Sequence, residues 1–310
     1  MQKYKMFNKI KKKLNKIGKI FILKLFNFSV KYLNMITRAF SLTFLIYSVV
    51  FSQVKTPALS PKSELTQIVG FTEMKIEFSR PSMRGRKIMG NLVNYGDIWR
   101  TGANSNTKLT ISDDVMFGEN ILSAGTYSIL TRPGIKMWEV FFYTEDWSLP
   151  KAWEPEKIAL KLDIPKKKAN QVETFSIWIG NISTDSASLN IAWENSRIEM
   201  PFTVSTDEKT MVSIKETMKG NPGHRDYYSA ASYYLTTGRD LKKAENWITK
   251  AVKEKEYYFY YRTKAEIHAG LNKYELAVEA ANKSIELAEK RGTKNLISLN
   301  KRSIEEWSKK

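Results

Sequence analysis

Hydrophobic residues alternate with polar ones at Met74, Ile76 and Phe78, at Trp138, Val140 and Phe142, and at Ile158, Leu160, Leu162 and Ile164. The same period of two returns at Leu189, Ile191 and Trp193, and again at Ile198, Met200, Phe202 and Val204. Successive side chains of a strand point to opposite faces, so each run predicts a strand with one buried face. Turn-forming stretches at residues 112–114, 133–134 and 181–186 separate the runs. No helix-length pattern intervenes, and the arrangement predicts an antiparallel β-sandwich over residues 63–205.

From about Thr206 the apolar spacing changes to a helical period. Offsetting this segment against itself by 33 residues pairs Tyr227 with Tyr260, Ser232 with Ala265, Ala244 with Ala277 and Ala251 with Ser284. Small residues where helices cross, with aromatics or leucine near the turns, resemble tetratricopeptide repeats, in which each unit is a helical hairpin. Two units and a last helix over 295–307 are visible in the region 206–310, whereas about three repeats are needed to stand alone. The helices are therefore expected to dock on the sandwich or on a partner. Aromatic residues are dense there, notably at 257–261, and two readings stand side by side. The rings fill gaps between helices, or they line a concave groove for a protein or peptide partner.

At the other end, residues 40–51 form an apolar run after Arg38, with small residues just before Gln53. This predicts a signal peptide over 35–52, a linker over 53–62 and a periplasmic or secreted mature chain without a permanent membrane span. Residues 1–34 are lysine-rich. They read either as a basic amphipathic segment on anionic lipid or as the product of a start assigned too early, with Met35 the initiator.

The net charge of +18 changes meaning once it is located. Residues 1–52 hold ten lysines and Arg38 and no acid, while residues 53–205 hold 18 bases against 17 acids. A nearly neutral domain without a basic stripe is not expected to bind nucleic acid. The chain has no cysteine, which excludes disulfides, thiol catalysis, lipidation at cysteine and cysteine-ligated metals. His224 and His268 both fall in the helical region and read as helix-end or packing residues. Neither a phosphate loop nor a nucleophile elbow is present, and no cofactor or metal is expected.

The chemically distinctive stretch is residues 79–104, where Arg80, Arg84, Arg86 and Arg100 stand among glycines with Tyr95, Trp99, Asn104 and a single acid, Asp97. Gly85 and Gly102 let the backbone turn beside arginines, and Pro81 holds Arg80 extended. A guanidinium is a planar five-donor group suited to a carboxylate or to several carbonyls at once. One reading is a polar pocket with an aromatic floor for an anionic small molecule, such as a sugar acid or a peptide carboxylate. The other is a brace, with the arginines satisfying loop carbonyls and pairing with Asp97, Asp113, Asp114 and Glu194. Arg197 is expected to pair with Glu194 or Glu199.

The segments "SRPS", "RGR", "WRTGAN", "LSAGTYSILTRPG" and "WENSR" resemble the bacterial exported domain of unknown function family 2911, over residues 58–204. The resemblance implies the β architecture with helical repeats behind it, and no chemistry. This chain has Ser105 where the family usually has an acid after Gly-Ala-Asn.

The resulting expectation is a binding or scaffolding protein with Arg80, Arg84, Arg86, Asp97, Trp99, Arg100 and Asn104 as its site. The alternative is a cell-envelope hydrolase acting on carbohydrate or peptide. Arginines converging on an open cleft with Asp97 favour chemistry; arginines buried against loop carbonyls favour the brace.

Overall fold

The computed structural model describes residues 2–50, 56–146 and 153–310. They form two compact units, residues 1–59 and residues 60–310. The first contains helix α1 (Gln2–Val50), which runs without a break through Met35. Within it Lys11–Thr37 is long and apolar enough to cross a membrane by length and composition, a property that signal sequences share. The expected end of the signal peptide and the first linker residues, 51–55, lie outside the described residues.

The second unit opens with ten strands: β1 (Lys62–Val69), β2 (Thr72–Ser79), β3 (Thr107–Ile111), β4 (Val115–Phe117), β5 (Asn120–Leu122), β6 (Gly125–Pro133), β7 (Met137–Tyr143), β8 (Ile158–Pro165), β9 (Lys167–Gly180) and β10 (Ser186–Val204). They make a six-stranded sheet in the order β1-β2-β3-β6-β7-β8 and a four-stranded sheet in the order β5-β4-β10-β9. All pairings are antiparallel. The alternating residues named above supply the core between the sheets: Met74, Ile76, Phe78, Trp138, Val140, Phe142, Leu189, Ile191, Trp193, Ile198, Met200 and Phe202 are all buried.

The two runs at 189–193 and 198–204 belong to one strand, β10. Their inward positions change from odd to even because the pairing with β9 shifts register at Glu194 and Ser196. Glu194 there has a φ of 53°, a left-handed conformation at the irregularity that resets the pleat.

Helices follow directly: α2 (Thr206–Lys219), α3 (His224–Thr236), α4 (Leu241–Glu254), α5 (Tyr258–Gly270), α6 (Tyr274–Glu289) and α7 (Lys294–Trp307). The offset units coincide with the hairpins α3–α4 and α5–α6. The small residues they align, Ala244 with Ala277 and Ala251 with Ser284, have no exposed surface. Helix α2 precedes these units and joins them to the sandwich.

Three contacts secure that junction. Gly70, in the β1–β2 turn, lies against the Thr206 side chain at the start of α2. Lys209 of α2 pairs with Asp113 of the β3–β4 turn. Asp207 accepts hydrogen bonds from Tyr233 at 2.7 Å and Arg239 at 2.5 Å, tying α2 to the far end of α3.

The junction is consequently expected to be acid-sensitive. The hydrogen bond from Lys209 holds Asp113 below its ordinary carboxylate range, and those from Tyr233 and then Arg239 do the same for Asp207. A carboxyl group depressed in the folded state stabilises above its unfolded pKa, and that contribution is lost as pH falls through the folded value. Acidification from about pH 5 to about pH 2 is expected to loosen the helices from the sandwich. Protease sensitivity between Val204 and α3, followed across that window, checks this. The Asp113→Asn, Asp207→Asn double variant should show a flatter profile than the parent.

Candidate functional site

The arginine stretch connects β2 to β3 and bridges the two sheets. It first leaves the six-stranded sheet for the edge strand of the other one. The Met83 N–H donates to Glu173 O at 2.8 Å and the Phe175 N–H to Pro81 O at 2.9 Å, so this segment adds to the free edge of β9. An unpaired edge exposes a row of backbone groups, and covering it removes a site for edge-to-edge association. The chain then returns to the first sheet, where Trp99 and Thr131 of β6 exchange backbone hydrogen bonds of 2.7 and 2.9 Å.

Side chains hold this path. Arg80 donates to Phe175 O at 3.1 Å and Ser176 Oγ at 2.9 Å. Arg86 donates to Met83 O at 2.9 Å and Ser82 O at 2.7 Å, and Arg100 to Asn104 O at 2.5 Å. Arg84 is exposed, and its backbone N–H donates to Glu173 Oε1 at 2.8 Å. The Asn104 amide reaches Ser60 O at 3.2 Å.

The acids have different partners from those the composition suggested. Glu194 accepts the backbone N–H groups of Ile88 and Met89 at 3.3 and 2.9 Å. Asp114 accepts that of Ala124 at 2.8 Å, Asp113 takes Lys209, and Asp97 accepts the Asn94 amide at 3.0 Å. Loop carbonyls lie within a few residues of Arg86 and Arg100 along the chain, whereas Asp113 and Asp114 sit in a different turn. Arg197 pairs with Glu199 at 3.1 Å, one of its two expected partners, and adds Asn190 at 2.7 Å.

Beneath the loop, Trp99 stacks on Trp193 with ring centres 5.8 Å apart and meets Phe175 and Trp138 edge-on at 5.3 and 6.3 Å. Its indole N–H donates to Gly102 O at 2.9 Å. Both glycines flagged in the sequence are in the positive-φ region, 73° at Gly85 and 148° at Gly102. Arg84, Thr101 and Asn104 share it, at 50°, 54° and 61°. For a β-branched residue such as Thr101 this conformation is costly. Thr101 is held in it by a buried bond from its hydroxyl to Thr131 Oγ1 at 3.1 Å and by the Thr107 hydroxyl on its carbonyl.

Between the loop and β10 lies a cleft of about 360 Å³. Arg86, Asn94, Asp97 and Trp99 line it, with Trp193 at the base and Pro81 and Gly102 on its walls. Three of the seven expected site residues therefore converge: Arg86, Asp97 and Trp99. Arg80, Arg84, Arg100 and Asn104 belong to the surrounding brace and do not line the cleft. The expected site did not include Trp193, Phe175 or Glu173, and Glu194 was expected to pair with arginines, not with loop amides. The "WENSR" element was the signal available for Trp193 and Glu194. Among the described residues that line the cleft Asp97 is the one carboxylate, and Glu194 faces the loop amides.

Residues 60–202, the strands and this loop together, match the family described as "Protein of unknown function (DUF2911)". The β region is a DUF2911 domain. None of the curated proteins compared with the chain matches it. The segments that carried the resemblance fall on the loop and its supports: "SRPS" runs beside β9, "RGR" forms the turn that follows, "WRTGAN" covers the Trp99 to Asn104 turn, and "WENSR" is the irregularity in β10.

The histidines lie elsewhere. His224 Nδ1 sits 2.9 Å from the Tyr260 hydroxyl at the start of α3, and buried His268 lies 3.0 Å from Glu245. Burial pushes the His268 imidazole pKa below its usual value despite that carboxylate. Among the described residues no group of three or more His, Asp or Glu side chains is placed to hold a metal ion.

Proposed function

We propose that this protein is an exported binding module that holds a small polar ligand of the sugar-acid class in the cleft over Trp99 and Trp193. The observation that carries the reading is the joint lining of that cleft by a guanidinium, a carboxylate, an amide and two indoles. Sugars are held by such sets, through polar edges on hydrogen-bonding groups and apolar faces on rings. The strained backbone at Arg84, Thr101 and Asn104 supports it, because such conformations cluster where a loop must present groups in one geometry. The brace and the pocket become one device, with Arg80 and Arg100 fixing the loop and Arg86 facing the ligand. The apolar N-terminal helix supports export, and a periplasmic or secreted location follows from reading it as a signal sequence.

The test is a thermal-shift and calorimetric series with hexuronates, muramyl peptides and neutral sugars. A saturable shift for hexuronates or muramyl peptides that Arg86→Gln weakens about tenfold or more, while Lys253→Gln on α4, away from the cleft, leaves the affinity intact, is the expected result. No saturable binding by any class, or binding indifferent to Arg86, overturns it.

The position of Asp97 in the cleft favours a second reading, hydrolysis of a glycosidic or peptide bond. Glycosidases of the common kind need two carboxylates, and the cleft offers one. Turnover of such substrates that disappears in Asp97→Asn while binding persists would establish that reading in place of the first.

A further inference from the structure

The helical region carries a second polar and aromatic surface, formed where α3 and α5 begin and α6 ends. A groove of about 380 Å³ there is lined by Arg225, Arg291, Tyr228, Tyr257, Phe259 and Tyr260 among others, with no acid among the described residues that line it. Arg225 and Arg291 are exposed, and among the described residues neither guanidinium has a hydrogen bond or ion pair. Elsewhere in the helical region Arg239 pairs with Asp207, and Arg262 with Glu266, Asn300 and Ser303, while Arg302 of α7 is exposed but does not line this groove. Two guanidiniums left open around one groove form a site complementary to carboxylates.

The rings narrow the ligand further. Tyr228 stacks on Tyr260 at 4.4 Å and Tyr257 on Phe259 at 5.3 Å, while Phe259 meets Tyr260 edge-on at 4.8 Å. Each ring thus has a face covered by a neighbour, and flat stacking of nucleic-acid bases is disfavoured. Ring edges and hydroxyls remain, and an aromatic edge carries partial positive charge. Residues 206–310 have a net charge of +6, so the field around the groove also favours an anion.

We propose that this groove binds a short acidic peptide segment of a partner protein, with carboxylates on Arg225 and Arg291 and an apolar side chain between them against Tyr257 and Phe259. It is a site separate from the Trp99 cleft. It deepens the reading of the protein as a binding module by giving the partner's chemistry.

Fluorescence anisotropy with the full chain tests it, using a labelled peptide of alternating aspartate and leucine. Lysine–leucine and serine–leucine peptides of the same length and a single-stranded oligonucleotide are the comparisons. Saturable binding of the acidic peptide alone, weakened by salt and reduced about tenfold or more in Arg225→Gln, Arg291→Gln, is expected. Unchanged melting temperature in that variant shows that the loss is local. Equal binding of the neutral peptide, preference for the oligonucleotide, no binding of the acidic peptide, or insensitivity to the two substitutions each overturns the proposal. Arg86→Gln should leave peptide binding intact, which separates failure here from failure of the cleft.

Discussion

Replacing Trp99 by alanine is expected to destabilise the β domain by about 3–5 kcal/mol, the usual cost of deleting a large aromatic side chain from a packed cluster. The half-buried indole touches Trp193, Phe175 and Trp138 at once, so its loss removes all three ring contacts and opens the edge of the core to the cleft. It also ends the bond to Gly102 O, leaving the 101–104 turn with left-handed residues and one restraint fewer. Urea unfolding of the full chain, followed by tryptophan fluorescence, measures the first effect. Trp99→Phe should recover most of the stability while lacking the indole donor. A loss below about 1 kcal/mol in Trp99→Ala, typical of an unremarkable surface position, would show that the loop is held by its backbone bridge to Thr131 and that the aromatic cluster is secondary.

Gly70→Ala is expected to cost about 2–4 kcal/mol, combining a left-handed backbone with overpacking. Gly70 has a φ of 57°, and a Cβ there would lie 1.6 Å from Thr206 Oγ1 and 2.9 Å from Thr184 O. Something must move, and what lies opposite is the first residue of α2. The substitution should therefore act on the joint between sandwich and helices, visible as earlier proteolysis after Val204 and a lower melting temperature. Gly118→Ala separates the two costs, because Gly118 shares the conformation, at 62°, with nothing within 4 Å of the added carbon. It should lose only the backbone part, about 1–2 kcal/mol. Equal losses at both positions would mean that the Gly70 contact yields without strain.

The strands were legible because burial on one face writes a period of two into the chain, and the helical hairpins because a 33-residue offset aligned small residues that prove fully buried. The break in parity between Trp193 and Ile198 was also present in the sequence, though it read as two strands. Only the pairing with β9 reveals a single strand with an irregularity at Glu194. Aromatic density at 257–261 was equally visible, but which rings cover one another, and that Arg225 and Arg291 remain unpaired beside them, depends on three chain segments far apart in sequence.

The arginine stretch shows the same division most clearly. Its residue types and its glycines announced a bent, guanidinium-rich loop, and the loop is bent at the positions those glycines mark. Whether a given arginine faces a cleft or a carbonyl was undetermined, since neighbouring arginines two to six residues apart can point either way. The tertiary structure divides them: Arg80 is taken by β9 and Arg100 by its own turn, while Arg86 holds the Met83 and Ser82 carbonyls and also lines the cleft with Asp97. Local pattern, by itself, determined elements and faces, because burial and backbone geometry act over a few residues. The assignment of Glu194 to loop amides, of Lys209 to Asp113 and of Trp193 to the floor of the cleft waited on packing. Those partners are 105, 96 and 94 residues from Met89, Asp113 and Trp99 respectively, and nothing but the folded sheets brings them within reach.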